Sequence, residues 1–123
     1  MVIGNSLTDA NVYPAELYRI SGGLLKFIGT RDTGSNSPNE GYSGKTFEWF
    51  VSDSCSPFVQ YKNGKFDIKT YLEDNNFNKP NLITIMLGIN DFIRGKSKAK
   101  FDSITAYCDT MISNFISLIP LEC

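Results

Sequence analysis

The chain has 123 residues, 41% of them hydrophobic and 13% aromatic, which predicts one folded domain over residues 1–123 and argues against a disordered segment. Twelve basic and thirteen acidic residues leave a net charge of −1, a balance that favours neither nucleic acid nor an anionic membrane surface as a partner. No apolar run is long enough to span a membrane, so we expect no membrane span, and the compartment stays open.

Two residue counts limit the chemistry. The chain has no histidine, which is the side chain whose ordinary pKa best suits proton transfer near neutral pH and is also the commonest metal ligand. Its three cysteines show no CxxC spacing, so they predict neither a zinc site nor a disulfide framework. We therefore expect no metal and no cofactor, and any mechanism must work without a histidine or import one.

The first part of the chain predicts two strands around one helix. A strand ends at Gly4, either Thr8 or Asp9 caps a helix, and Ser21 begins the Ser-Gly-Gly sequence that ends it. Apolar residues over 24–29 predict a second strand. Residues 30–44 then form a long polar loop, and loops of that length in compact domains tend to be functional or mobile.

The second part predicts three helices and one strand. Short helices begin near Thr46 and after the capping residue Asp67, and residues 82–87 are nearly all apolar, as in a parallel strand covered on both faces. A last helix carries one apolar stripe that Pro120 stops. The members of this stripe are Phe101, Ile104, Cys108, Met111, Ile112, Phe115, Ile116 and Ile119. The alternation of strands and helices predicts an α/β layer fold on a parallel sheet with right-handed crossovers.

Three short segments follow the predicted strands. GNSL (residues 4–7) comes after the first strand, YSGKT (42–46) closes the loop after the second, and GIND (88–91) follows the third. In open parallel sheets the ligand crevice lies beyond the carboxyl ends of the strands. We therefore predict that the three segments meet in one site.

In this order, GNSLT, SGKT and GIND resemble the first three conserved blocks of the SGNH hydrolases, also called the GDSL esterase/lipase family. The resemblance extends from residue 1 to about Asp91 and implies a flavodoxin-like three-layer α/β/α sandwich with a parallel sheet. It implies Ser6 as the catalytic nucleophile. Gly44 and Asn90 would complete the catalytic set by donating a backbone N–H and a side-chain amide to the oxyanion. Each also has a purely structural interpretation: Ser6 as a helix cap, Gly44 as a turn glycine and Asn90 as an Asx-turn residue.

Three further residues, Asn5, Tyr42 and Asp91, are candidates for binding the substrate. Asn5 stands where the family usually has Asp. Asparagine keeps the shape of the aspartate side chain but lacks its charge. Asp91 is better suited to tying down its own loop than to touching substrate.

One block of the family pattern is missing. The Asp-x-x-His segment that supplies the general base is absent, and the resemblance therefore implies an incomplete fold, the N-terminal portion of the domain, cut at both ends. Lys45 could act as the base only if it were desolvated, and the polar loop around it argues against that. We also expect the sheet edge left without its outer neighbour to favour self-association.

The leading functional prediction is an ester hydrolase that removes small acyl groups, such as acetyl, from carbohydrate. This substrate is preferred because Tyr13, Arg31, Tyr42 and Arg94 lie near the strand ends and no apolar lid is evident. The alternative is a non-catalytic pseudo-enzyme or binding module, which the absence of histidine favours. A nucleotide or flavin binder is disfavoured, because the chain has no P-loop and no GxGxxG motif.

Overall fold

The structure, a computed structural model, describes residues 1–94 and 98–119, with three strands and six helices in those residues. Their bounds are β1 (Val2–Gly4), α1 (Ser6–Asp9), α2 (Val12–Ile20), β2 (Glu40–Gly41), α3 (Phe47–Ser52), α4 (Ile68–Asp74), β3 (Thr84–Met86), α5 (Ile89–Arg94) and α6 (Lys98–Ile116). In the described part of the chain, no helix combines the length and the apolar character needed to cross a membrane.

The chain separates into two compact units. The sheet unit comprises Met1–Lys45 and Pro80–Leu87, and the helical unit comprises Thr46–Lys79 together with the described residues from Gly88 onwards. A compact unit need not fold as a separate domain, so the single domain over residues 1–123 stays a prediction.

The sheet unit contains one parallel sheet with the strand order β2-β1-β3. In its register, Gly4 of β1 is paired with Gly41 of β2 and with Met86 of β3. β1 is buried along its length, with a neighbouring strand on each side. A parallel sheet whose strands are connected through helices confirms the predicted α/β class and is consistent with part of a flavodoxin-like fold.

Close packing between β2 and α1 requires glycine at position 41. A Cβ placed on Gly41 would lie 2.3 Å from the backbone N of Asp9 and 2.6 Å from the carbonyl carbon of Thr8. Backbone atoms cannot turn aside as the end of a flexible side chain can, so a larger residue would displace the strand. Gly41 therefore lets β2 lie directly against the helix that begins at Ser6.

The prediction of a strand over residues 24–29 is wrong. These residues belong to no strand or helix in the structure, and Leu24 is 86% exposed. Glu40 and Gly41 take the place beside β1, and Tyr42 continues the pairing by donating its N–H to the carbonyl of Gly4 at 2.9 Å. An apolar run is a local signal, whereas a strand also needs a neighbour that pairs its backbone groups.

The first predicted helix is divided in two, and its predicted caps are wrong. α1 ends at Asp9 and α2 begins after Asn11, which adopts a left-handed φ of 56°. The cap of α1 is neither Thr8 nor Asp9 but Asn5, whose Oδ1 accepts a hydrogen bond from the N–H of Leu7 at 3.1 Å. The helix starts directly after the strand, so the only side chain in the capping position is the one at the turn.

An aromatic cluster forms the centre of the helical unit. Phe58 is 1% exposed, and its ring centroid lies 4.7 Å from that of Tyr71, 5.6 Å from Phe66, 5.9 Å from Phe50 and 6.4 Å from Phe115. α3 and α6 pack against each other in the same unit. Because buried aromatic rings remove a large apolar area from water, this cluster is the main stabilising feature of the helical unit.

The structure confirms the predicted helix start near Thr46 and the predicted cap at Asp67. Thr46 Oγ1 accepts from the N–H of Trp49 at 3.2 Å, and Asp67 Oδ1 accepts from the N–H of Thr70 at 3.1 Å. These bonds satisfy backbone donors that the first turn of a helix leaves without an intrahelical partner.

The apolar stripe predicted on the last helix is only partly buried. α6 buries Ile104, Met111 and Phe115, whereas Phe101 and Ile116 are 53% and 59% exposed. Eight apolar residues cover more than one side of a helix, and only the side toward the aromatic cluster is covered in the described residues. The helix ends at Ile116, and its predicted stop at Pro120 lies outside the described residues.

β3 lies at an edge of the sheet within residues 1–94 and 98–119, since β1 is its strand neighbour there. Leu82, which precedes this strand, is 63% exposed, and Met86, its last residue, is 41% exposed. Apolar side chains beside an exposed ladder favour pairing with another chain. Self-association through this edge stays a prediction.

Candidate active site

Ser6 lies on a short strand-to-helix turn of the sheet unit. β1 ends at Gly4, and Ser6 is the first residue of α1 and is exposed. Its hydroxyl makes no hydrogen bond to any residue that the structure describes. The structural interpretation of Ser6 as the helix cap is wrong, because Asn5 caps α1. Ser6 is thus displayed at the end of the central strand with its hydroxyl not engaged in capping.

Asn5 holds this turn from both sides. It is 2% exposed, its N–H donates to the carbonyl of Met86 at 3.3 Å, and its carbonyl accepts from the N–H groups of Thr8 and Asp9 at 3.1 and 2.9 Å. Together with the bond from Leu7 to its side chain, these contacts fix the backbone on either side of Ser6. They give Asn5 a structural role, and its binding of substrate stays a prediction.

Gly44 lies in a second turn at the same edge of the sheet, three residues after β2. Its φ is +73°, in the left-handed region that favours glycine, and the N–H of Lys45 donates to the carbonyl of Tyr42 at 3.2 Å across the turn. The structural interpretation of Gly44 as a turn glycine therefore fits the geometry. That interpretation is compatible with catalysis, because a glycine N–H in such a turn has no Cβ beside it to hinder a substrate oxygen.

Tyr42 is half-buried between two charged residues. Its hydroxyl donates to Glu40 Oε2 at 3.0 Å, and the Arg31 guanidinium lies over its ring, 5.1 Å from the centroid. Burial, together with the nearby Glu40 charge, raises the pKa of Tyr42 to about 12, although Arg31 opposes this shift. Tyr42 therefore keeps its hydroxyl proton throughout the physiological range.

Asn90 and Asp91 belong to the helical unit. Asn90 lies in the first turn of α5, and its interpretation as an Asx-turn residue stays a prediction. Asp91 is 2% exposed, and its two carboxylate oxygens accept from the N–H of Phe47 at 3.0 and 3.2 Å, at the start of α3. Burial raises the pKa of Asp91, while the N–H groups of Phe47, Asp91 and Gly88 oppose the shift.

The structure thus divides the predicted site residues between the two units. Four of them lie at the carboxyl edge of the sheet in the sheet unit, and two lie in the first turn of α5 in the helical unit. The four are Asn5, Ser6, Tyr42 and Gly44, and the two are Asn90 and Asp91. Their roles in catalysis and binding stay predictions.

A polar network around the long loop of the sheet unit was not predicted from the sequence. Asn11 Nδ2 donates to the hydroxyls of Thr33 and Ser35, and its Oδ1 accepts from Ser37 Oγ and Asn39 Nδ2, both at 3.1 Å. The sequence shows only that the loop is rich in Ser and Asn, which are frequent in any turn. The network fastens the loop to the start of α2.

A cavity of about 330 Å³ lies in the helical unit. Its lining residues are Thr46, Glu48, Asp91, Lys100, Ser103, Ile104 and Tyr107. Several of its polar groups already have partners in the protein, since Thr46 caps α3 and Asp91 binds the N–H of Phe47. No set of three or more metal-ligating side chains occurs in the part of the chain that the structure describes.

Comparison with known families gives one match. A family model described as GDSL-like Lipase/Acylhydrolase matches residues 1–120, almost the whole chain. No curated protein and no solved structure matches the chain significantly.

Proposed function

We propose a function from one premise: the chain belongs to the family of GDSL-like lipases and acylhydrolases, whose members hydrolyse ester bonds. In our proposal, Ser6 is the nucleophile, and the N–H of Gly44 and the side-chain amide of Asn90 stabilise the oxyanion. The substrate is a small acyl ester, such as an acetyl group on carbohydrate.

The observation that carries the proposal is the placement of Ser6. It is exposed and follows the end of the central strand by two residues, and the capping role at this turn belongs to Asn5. A serine on such a turn projects its hydroxyl clear of the sheet, which is the arrangement that an attack on a substrate carbonyl requires. The hydroxyl oxygen would form a bond to the acyl carbon as its proton passes to a base, the ester C–O bond would break as the leaving alcohol takes up that proton, and water would then hydrolyse the acyl group from Ser6.

The two proposed donors suit the negative charge that develops on the carbonyl oxygen. A backbone N–H on a glycine and a neutral carboxamide both donate without a change of protonation state. Donors of this kind stabilise the tetrahedral intermediate more than the substrate, and the loss of one costs roughly 3–4 kcal/mol of transition-state stabilisation.

The proton of Ser6 requires an acceptor. A serine hydroxyl is a weak nucleophile without an adjacent base, and the chain has no histidine. The proposed reaction therefore needs a proton acceptor other than a histidine of this sequence. By comparison with triad enzymes, an oxyanion hole and substrate binding alone leave catalysis roughly 10³–10⁴-fold over water.

The preference for acyl groups on carbohydrate is supported by the side chains near the sheet edge. Tyr42 presents a half-buried aromatic ring and Arg31 a partly exposed guanidinium, and both can contact sugar rings and hydroxyls. Tyr13 is also half-buried in this unit, and its hydroxyl bonds to Thr8 Oγ1 at 2.8 Å. Arg94 was predicted to join them; the structure describes its place in α5 but not its side chain.

The proposal is tested by labelling the protein with a fluorophosphonate probe and by following p-nitrophenyl acetate hydrolysis. We expect the probe to modify the wild type at Ser6, identified by peptide mass spectrometry, and Ser6→Ala to remove the label. Ser43→Ala is the matched control, because Ser43 is an exposed serine of the Gly44 turn. Asn90→Ala should lower kcat by about 10²–10³-fold. Labelling that persists in Ser6→Ala would exclude Ser6 as the nucleophile.

A second candidate function is a non-catalytic binding module, which the absence of histidine favours. In that case, neither the wild type nor Ser6→Ala would be labelled, and both would bind an acetylated oligosaccharide with equal affinity in calorimetry. Labelling of the wild type at Ser6 contradicts this alternative.

A further inference from the structure

We propose that Glu40 and Arg31 are positioning residues that hold the Gly44 turn in place relative to the helix that carries Ser6. The catalytic meaning of this inference rests on the proposed function. The contacts that support it all lie within the sheet unit.

Glu40 is the first element of this arrangement. Glu40 is 0% exposed, although glutamate is among the residues least often buried. Its Oε1 accepts a hydrogen bond from the N–H of Thr30, and its Oε2 accepts from the hydroxyl of Tyr42 at 3.0 Å. A buried carboxylate is costly unless donors surround it, so the presence of Glu40 in β2 calls for a reason other than stability alone.

Arg31 is the second element. Its guanidinium lies over the ring of Tyr42 at 5.1 Å, and its Nη2 is 2.6 Å from Oδ1 of Asp9. Asp9 is the last residue of α1, the helix whose first residue is Ser6. Arg31 therefore connects that helix to the aromatic ring through one ion pair and one cation–π contact.

Tyr42 passes both restraints on to the turn. Its N–H donates to the carbonyl of Gly4, next to the Ser6 turn, and its carbonyl accepts from the N–H of Lys45, on the far side of Gly44. Glu40 holds the ring at its hydroxyl, while Arg31 holds it at its face. With the ring fixed at both places, the backbone of the Gly44 turn has little freedom to move away from β1.

This restraint matters because an oxyanion donor is effective only when it is already aimed at the reacting oxygen. A displacement of about 1 Å can cost about 100-fold in rate. With p-nitrophenyl acetate, which carries no sugar for Arg31 or Tyr42 to contact, loss of either restraint should therefore lower kcat with little change in KM, because ground-state binding of this substrate does not depend on the oxyanion donor.

The two residues also have opposite electrostatic effects on Tyr42, and this gives a signature that a general loss of structure would not produce. Glu40 raises the pKa of Tyr42, and Arg31 lowers it. Removal of the Glu40 charge should therefore shift the titration of Tyr42 to lower pH, and removal of the Arg31 charge should shift it to higher pH.

The experiment compares Glu40→Gln and Arg31→Met with the wild type. The titration of Tyr42 is followed by NMR of ¹³Cζ-labelled tyrosine and is assigned with Tyr42→Phe. Hydrogen exchange of the Lys45 amide, measured at neutral pH, reports the rigidity of the turn. Glu73→Gln and Arg19→Met are the matched controls, since both residues are exposed and lie in helices, α4 and α2, that do not contain Glu40, Arg31 or Tyr42.

We expect the two variants to shift the Tyr42 titration in opposite directions, to speed exchange of the Lys45 amide about 10-fold or more, and to lower kcat about 10- to 100-fold at nearly unchanged KM. The controls should change none of these. Unchanged titration and exchange in both variants would overturn the inference. If Glu40→Gln does not fold, Arg31→Met still tests the inference. The Arg31 side chain is 46% exposed, so we expect its substitution to leave the fold intact.

Hydrolysis separates this inference from the proposed function. If the wild type hydrolyses esters and both variants keep its kcat, the positioning role is overturned while the proposed function stands. If the wild type hydrolyses no ester, the proposed function fails, and the titration and exchange results alone decide whether Glu40 and Arg31 hold the turn.

Discussion

The sheet unit and the helical unit are stabilised by different kinds of contact. The sheet unit buries polar side chains around its loops, namely Asn5, Thr8, Asn11, Ser37, Asn39 and Glu40. The helical unit buries mainly apolar ones, and its fully buried side chains include Phe50, Phe58, Ile68 and Met111. Hydrogen bonds are directional and fix positions, whereas apolar packing depends mainly on buried area. The polar network therefore fixes the loop of the sheet unit, and the aromatic cluster stabilises the helical unit.

The largest expected effect comes from the aromatic cluster. Phe58→Ala should lower the free energy of unfolding by about 3–5 kcal/mol, because it leaves a cavity among four aromatic rings. Urea unfolding followed by circular dichroism measures this change. Tyr61→Ala is the control, since Tyr61 is 99% exposed and should change stability by less than about 0.5 kcal/mol. Equal effects of the two substitutions would contradict the central role of Phe58.

The next effect tests the polar network of the sheet unit. Asn11→Ala should cost about 2–3 kcal/mol, because it removes the acceptor shared by the buried side chains of Ser37 and Asn39. Ser37 Oγ then keeps its contact with Ser35 Oγ, and Asn39 Nδ2 keeps its bond to the Ser37 carbonyl. Asn36→Ala is a closely matched control, since both asparagines have a φ of 56° and Asn36 is exposed. The control should show only the cost of alanine in the left-handed region, about 1 kcal/mol. Similar losses in urea unfolding would mean that backbone conformation, and not the network, makes Asn11 important.

A smaller effect is expected at a helix start in the helical unit. Thr46→Ala removes the cap of α3 and should lower the free energy of unfolding by about 1 kcal/mol. Thermal unfolding is sensitive enough to measure this, and Thr46→Ser should restore most of the loss because it keeps the hydroxyl. A serine variant as unstable as the alanine variant would assign the effect to packing of the methyl group.

The smallest effect at neutral pH is that of Tyr42, which changes stability only under alkaline conditions. The pKa of Tyr42 is raised to about 12 in the folded state, above its ordinary value of about 10. The unfolded chain loses this proton first, so the contribution of Tyr42 to stability is complete below pH 10 and is lost as the pH rises toward 12. Stability measured by urea unfolding should therefore fall less steeply over this range in Tyr42→Phe than in the wild type. Tyr61→Phe is the exposed control, and equal slopes in Tyr42→Phe and the wild type would contradict the raised pKa.

Features with a local cause were predicted correctly from the sequence. The helix start near Thr46 and the cap at Asp67 are predicted correctly, because a cap bonds to an N–H two or three residues away. The strand near residues 82–87 was found because its apolar run is continuous, and the structure has β3 inside that range. The three family blocks were recognised for the same reason, since each is a short stretch of consecutive residues.

Features with a non-local cause were missed or wrong. Residues 24–29 have the composition of a strand, yet the pairing partner of β1 is β2 at residues 40–41. Glu40 looks like an ordinary loop residue in the sequence, which does not indicate that its carboxylate is buried and accepts from the N–H of Thr30, earlier in the loop, as well as from the nearby Tyr42 hydroxyl. The helix that the sequence predicts after a cap at Thr8 or Asp9 starts elsewhere in the structure, where α1 begins after Asn5 and α2 after Asn11, because the exact start of a helix depends on where the preceding element ends.

The sequence by itself determined the α/β class, the order of most elements and the membership of the family. These follow from local patterns of apolar residues, caps and turns, whose physical cause lies within a few residues. Only the tertiary structure decided which segment pairs with the central strand, which charged side chain is buried and what surrounds Tyr42. Those outcomes depend on groups that are distant along the chain and satisfy one another's hydrogen bonds and charges only after folding has removed them from water.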